Sequence, residues 1–144
     1  MITNQKNITA ILFCLFFLSG CFGLFDSGSQ RIIGRYEVLW IDLPQNQALT
    51  KVDKEHSSSS ATLIEPYIFA VGHNDSYIIV KQHPTGGFEK NYEIHTDTTN
   101  YYIIDIANDR DEIYGPLSLP KFDSLRLTLK ITAIQFDKTY LDKY

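Results

Sequence analysis

From residue 36 onward the apolar positions fall in short runs rich in β-branched and aromatic side chains, separated by polar or Gly/Pro-containing breaks. That spacing predicts strands over most of the chain. Tyr36 to Leu43 (YEVLWIDL) forms the first, ended by Pro44-Gln45-Asn46-Gln47, and a weaker strand follows over Ala48 to Val52. Lys54 to Ser60 is a polar, Ser-rich connection. The strongest signal is the pair Tyr67 to Val71 and Ser76 to Lys81, joined by Gly72-His73-Asn74-Asp75. Two such runs around a Gly/Asn/Asp turn predict an antiparallel hairpin. Both runs are almost continuously apolar, which places them centrally in the sheet. After the break at Pro84-Thr85-Gly86-Gly87, Tyr92 to His95 alternates like a half-buried strand, Thr96 to Asn100 turns, and Tyr101 to Ile106 returns. Asn108 to Glu112 is an exposed turn.

The C-terminal section supports two readings. As a helix, Ser118 is the N-cap, Pro120 sits in the first turn, and Leu119, Phe122, Leu125 and Leu129 make one stripe. As a strand, Leu125, Leu127, Leu129 and Ile131 alternate with Arg126, Thr128 and Lys130. The local pattern slightly favours the strand from Leu125 onward. Ala133 to Phe136 reads as a final short strand, and Asp137 to Tyr144 as a frayed polar tail.

The first 20 residues follow a different rule. Lys6 precedes an 11-residue apolar run, Ile8 to Leu18, interrupted only by Thr9, whereas a permanent membrane span needs about 20 apolar residues. The run is therefore a signal-peptide core rather than an anchor. Leu18-Ser19-Gly20-Cys21 then resembles the lipobox of bacterial lipoproteins, with Leu three positions before Cys and small residues between. The resemblance implies that Cys21 is joined through its thiol to diacylglycerol and becomes the first residue after cleavage. Residues 1–20 are then a signal peptide, 21–34 a lipidated flexible tether, and 35–144 one globular domain. Two or three acyl chains at about 0.8 kcal/mol per buried methylene hold such a domain on a membrane without a spanning helix. No Asp follows Cys21, so by resemblance to envelope sorting rules the location is the outer membrane if the organism is Gram-negative.

This reading changes what composition means. Of the two cysteines, Cys14 leaves with the signal and Cys21 becomes a thioether, so no thiol remains to pair or to ligate metal. The net charge of −4 becomes −5 on loss of Lys6, and the Lys and Arg residues are scattered. Nucleic acid is excluded as a partner, because phosphate binding needs clustered cations.

The lipobox, together with Tyr77-Ile78-Ile79-Val80-Lys81-Gln82-His83-Pro84, Tyr101-Tyr102-Ile103-Ile104-Asp105, Tyr114-Gly115-Pro116-Leu117, Phe122 and Leu125-Arg126, resembles a family of small bacterial lipoproteins of uncharacterised function. The similarity covers roughly Tyr36 to Ile131. It implies a helix over Ser118 to Leu129 after the Gly-Pro-Leu lead-in, and on that basis helix is chosen over strand. It supplies no activity. The chain departs from the family in the helix, where Thr128 and the Leu/Thr alternation replace charged helix formers.

Candidate chemistry is sparse. His73, His83 and His95 end adjacent predicted strands and could surround an ion with Asp75 or Asp105, but no two stand at a tight ligand spacing. They read as solvated turn histidines, and neither a metal nor a cofactor is expected. Lys81, Gln82 and His83 form a polar run at a strand end, and with Tyr102 they are the expected contact group for a partner. The plainer reading is an edge where the strand leaves the core. Tyr77, Tyr92, Tyr101 and Tyr102 either present an aromatic face to a glycan or protein or cover the core rim. There is no Gly-x-Ser-x-Gly, Asp105 and Glu93 make only a loose carboxylate pair, and Gly86-Gly87 lacks the Lys and helix of a phosphate loop. The expected fold is α+β, a β-rich antiparallel meander sheet with one C-terminal helix packed on it. The expected function is a membrane-anchored, non-enzymatic binding or inhibitory module of the envelope, with an envelope protein or glycan as partner. The alternatives are an envelope hydrolase using His83 or His95 with Asp105, and a structural envelope component.

Overall fold

The computed structural model describes residues 27–43, 45–56, 59–86 and 93–140. The signal segment, Cys21 and Tyr92 lie outside them. β1 (Gly28–Ile33), β2 (Tyr36–Trp40), β3 (Ala48–Val52) and β4 (Ser60–Ile64) pair antiparallel in that order as a meander. Glu65-Pro66-Tyr67 carries the chain into a second sheet through the hairpin β5 (Ile68–His73) and β6 (Tyr77–Gln82). A two-stranded ribbon, β7 (Thr85–Gly86) and β8 (Glu93–Ile94), comes next. β9 (Asn100–Asp105) and β10 (Glu112–Leu117) follow, then helix α1 (Leu119–Thr128) and β11 (Lys138–Thr139). The second sheet has the order β10-β9-β6-β5-β11.

This architecture explains the continuous apolar runs. β6 and β9 lie inside the second sheet and are covered on both faces, so successive residues are buried in opposite directions. Ile78, Val80 and Ile104 face the first sheet and pack with Val38, Leu49 and Ile64. Ile79 and Ile103 face the other way, onto Phe122, Ile131 and Ile134. The molecule is thus three layers: sheet, sheet, helix. The antiparallel, β-rich α+β fold with a C-terminal helix on a sheet is as expected, and the single expected sheet is resolved into two plus a ribbon.

The helix wins over the strand because Phe122, Leu125 and Leu129 meet the second sheet at helical spacing, with Phe122 fully buried and Leu127 left 68% exposed. A strand would have used Leu127 for the core. Ser118 occupies the N-cap position, but its side chain makes no capping bond. At the other end of the helix the Arg126 guanidinium ties down the segment that follows, donating to the carbonyls of Thr132 at 2.8 Å and Ile134 at 2.5 Å.

Four boundaries depart from the sequence reading. Residues 28–33, expected within the tether 21–34, form β1, so the ordered domain begins before residue 35. Gly28 permits this, because a Cβ there would stand 2.5 Å from the indole of its cross-strand partner Trp40. β4 (SATLI) starts at Ser60, the last residue read as loop, and continues through residues for which no strand was expected; its exposed Ser60 and Thr62 hid an edge strand. β10 carries Gly115-Pro116 in a cis peptide on the sheet edge, where proline costs no ladder bond. Ala133 to Phe136 forms no strand, while Lys138–Thr139, read as tail, pairs with Val71 and Ala70.

Candidate functional site

β6 ends in Lys81-Gln82, and the period of two sends these side chains to opposite faces. Lys81 lies on the helix side, its ammonium 4.5 Å from the Phe136 ring centre and 5.8 Å from that of Tyr101. Gln82 and Tyr102 lie on the side of the first sheet. The four residues expected as one contact group therefore do not share a surface.

What Gln82, His83 and Tyr102 build is internal. Gln82 is 5% exposed. Its amide NH2 donates to the carbonyls of Glu65 at 2.9 Å and Pro66 at 3.1 Å. Its amide oxygen accepts from the Tyr102 hydroxyl at 2.9 Å and, less closely, from the Asn100 amide at 3.4 Å. The backbone N–H of His83 donates to the Tyr67 carbonyl at 3.0 Å. All three consecutive carbonyls of the crossover between the sheets are thus held by residues 82 and 83. Tyr67 takes a positive φ of 73°, a conformation uncommon for a bulky residue, and these bonds hold the chain in it. His83 is buried too, stacked on Phe69 with ring centres 4.3 Å apart. Its Nδ1 lies 2.9 Å from the Thr98 carbonyl, which can only accept, so Nδ1 carries the hydrogen. Burial pushes the Tyr102 phenol above its ordinary pKa. This cluster is a polar pin through the sheet junction, and its chemistry is hydrogen-bond satisfaction inside the fold.

The hydrolase set does not converge. Asp105 sits at the far end of β9 from Asn100, the residue that pairs with Gln82. Its carboxylate accepts from the Ala107 N–H at 2.9 Å. His95 is exposed beside Gly86 in the ribbon, and Glu93 belongs to that ribbon rather than to the sheet of Asp105. Tyr77 and Tyr101 lie on the helix side of the sheet and Tyr102 on the other, so these three do not form one common face. Among the described residues no three His, Cys, Asp or Glu side chains gather as metal ligands.

A charged cluster that the sequence did not disclose stands at the Asp105 end. Asp109 and Asp111, both at positive φ in the turn between β9 and β10, reach across to the first sheet. Asp109 accepts from Arg35 at 2.8 Å and from Lys54 at 2.6 Å. Asp111 accepts from the Tyr36 hydroxyl at 2.6 Å and binds the Lys51 ammonium. The two cations hold the Asp109 carboxyl well below the usual carboxylate range. Burial acts to lower Lys51, but the bonds to Asp111 and Tyr36 outweigh it and leave the ammonium raised. Burial, reinforced by Asp111, raises the Tyr36 phenol. Beside the cluster, Arg35, Lys51, Val52, Asp53, Ser59, Ser60 and Ala61 line a shallow depression of about 280 Å³. These residues lie on strand ends far apart in sequence, and only the alternation of Asp109 and Asp111 in a turn hinted at them.

At the opposite end, the bend after β2 exposes Ile41 (55%) and Leu43 (52%). Leu39, Ile41, Ala48 and Pro66 there join Asn46, Thr50, Thr62 and Glu65 around a second depression of about 190 Å³.

The fold is a small β-rich α+β domain of two antiparallel sheets with a helix on the outer face of the second. Residues 33–140 match the family described as "Protein of unknown function (DUF3997)", and the chain belongs to that family. No curated protein and no solved structure matches the chain.

Proposed function

We propose that this chain is a lipid-anchored protein of the bacterial envelope whose domain is a non-enzymatic binding or inhibitory module. The observation that carries the anchoring is Leu18-Ser19-Gly20-Cys21, placed after an 11-residue apolar run and seven residues ahead of the first strand. Among the described residues no helix is long and apolar enough to cross a membrane. The non-enzymatic reading draws support from the separation of Asp105 from His83 and His95, and from the use of Gln82, His83 and Tyr102 as a pin. The partner, an envelope protein or glycan, has the Asp105 end available to it, where Arg35, Lys51 and Asp53 line the open depression. If the organism is Gram-negative, the missing Asp after Cys21 directs the protein to the outer membrane.

Replacement of Cys21 by Ser tests the anchor. The expected result is an unprocessed precursor that takes up no labelled palmitate. Normal processing and labelling of that variant would refute the proposal.

A further inference from the structure

We infer that the bend after β2, with Ile41 and Leu43, is the face the domain lays on the lipid surface. The inference rests on the anchoring proposed above and adds an orientation to it. Gly28, the first residue of β1, pairs with Trp40, so the chain enters the fold beside that bend. Cys21 lies seven residues earlier. Seven residues can span at most about 25 Å even when fully extended. Arg35 and Lys51 stand at the other end of the strands, a further length of β1 away.

Chemistry points the same way. Ile41 and Leu43 are about half exposed at adjoining positions of the tethered end, and together with Leu39, Ala48 and Pro66 they make its apolar surface. Exposed apolar side chains on a domain held at a bilayer gain by entering the headgroup boundary. Asp42 between them, and Glu65 at the rim, keep their carboxylates in water and limit the insertion to that shallow layer. The cations at the far end exert no opposing pull toward an anionic surface. Arg35, Lys51 and Lys54 are matched there by Asp109, Asp111 and Asp53. The proposed partner depression then faces away from the bilayer.

Trp40, the chain's single tryptophan, adjoins Ile41 and reports on the contact. The mature lipidated protein, from Cys21 onward, is reconstituted into phosphatidylethanolamine/phosphatidylglycerol vesicles whose acyl chains carry bromine either near the headgroup or near the bilayer centre. Trp40 emission should be quenched, more by the shallow bromines than by the deep ones. Ile41→Ser and Leu43→Ser, singly and together, should lose the quenching while still sedimenting with the vesicles. Leu127→Ser, an exposed position on α1, should keep it. Wild-type protein that sediments but is not quenched would overturn the orientation alone. Protein that fails to sediment would overturn the anchor and the orientation with it.

Discussion

Replacing Gln82 by Ala separates a structural pin from a ligand contact, and the structure sets the magnitude. The change strips the donor from two consecutive carbonyls, Glu65 and Pro66, and the acceptor from the Tyr102 hydroxyl. A buried polar group left without a partner costs about 1–3 kcal/mol, whereas a satisfied hydrogen bond contributes only about 0.5–1.5 kcal/mol net. Crossover carbonyls near the surface regain some water, so the loss should be about 2–4 kcal/mol, a large part of the roughly 5–15 kcal/mol typical of a domain. Tyr102→Phe alone should cost about 1 kcal/mol, because the Asn100 amide at 3.4 Å is a poor replacement donor. In the Gln82→Ala background the same change should cost almost nothing, since its acceptor is already gone. Urea denaturation with an unchanged slope measures all three. A loss under about 1 kcal/mol for Gln82→Ala, or an additive double variant, would refute the pin.

Three further outcomes follow from the packing and the charges. Phe122→Ala should lose about 3–5 kcal/mol, as a buried ring does on truncation, while Leu127→Ala on the same helix should stay within about 0.5 kcal/mol in the same denaturation assay. Gly72→Ala places a Cβ 1.9 Å from the Gln135 carbonyl. The segment after α1 must then move, and proteolysis near residue 135 should accelerate. Asp109, with its carboxyl held below the ordinary value of 3.8, contributes stability that is complete above that value and is lost as pH falls below it. Asp109→Asn should therefore be less stable at neutral pH and lose less between pH 5 and pH 2, read from urea midpoints across that range.

The parts of the fold that were legible are those where each residue's burial follows from its neighbours. The β5–β6 hairpin and β9 announced themselves because strands covered on both faces must be apolar throughout, and β3 was found to the residue. β4 and β10 were not legible, since edge strands tolerate Ser, Thr, Gly and Pro on their open side. β1 was hidden by Gly28 and the polar Ser29-Gln30-Arg31, whose pairing is decided by β2. Leu125 to Ile131 alternates like a strand, and Phe122 against Tyr101 and Ile103 decides for the helix, a contact no local pattern contains. The candidate site shows the same limit. Gln82 and His83 were marked as unusual polar residues at a strand end, but their partners, Glu65, Pro66 and Tyr67, belong to a crossover visible only in three dimensions. The clasp of Asp109 and Asp111 on Arg35, Tyr36, Lys51 and Lys54 joins residues 55 to 75 positions apart.

The most direct test of the anchored reading is the intact mass of the protein extracted from the membranes of its own cells. The expected species is a chain that begins at Cys21 and carries a diacylglyceryl thioether on that residue. A chain that still begins at Met1, or one whose Cys21 is an unmodified thiol, would contradict it.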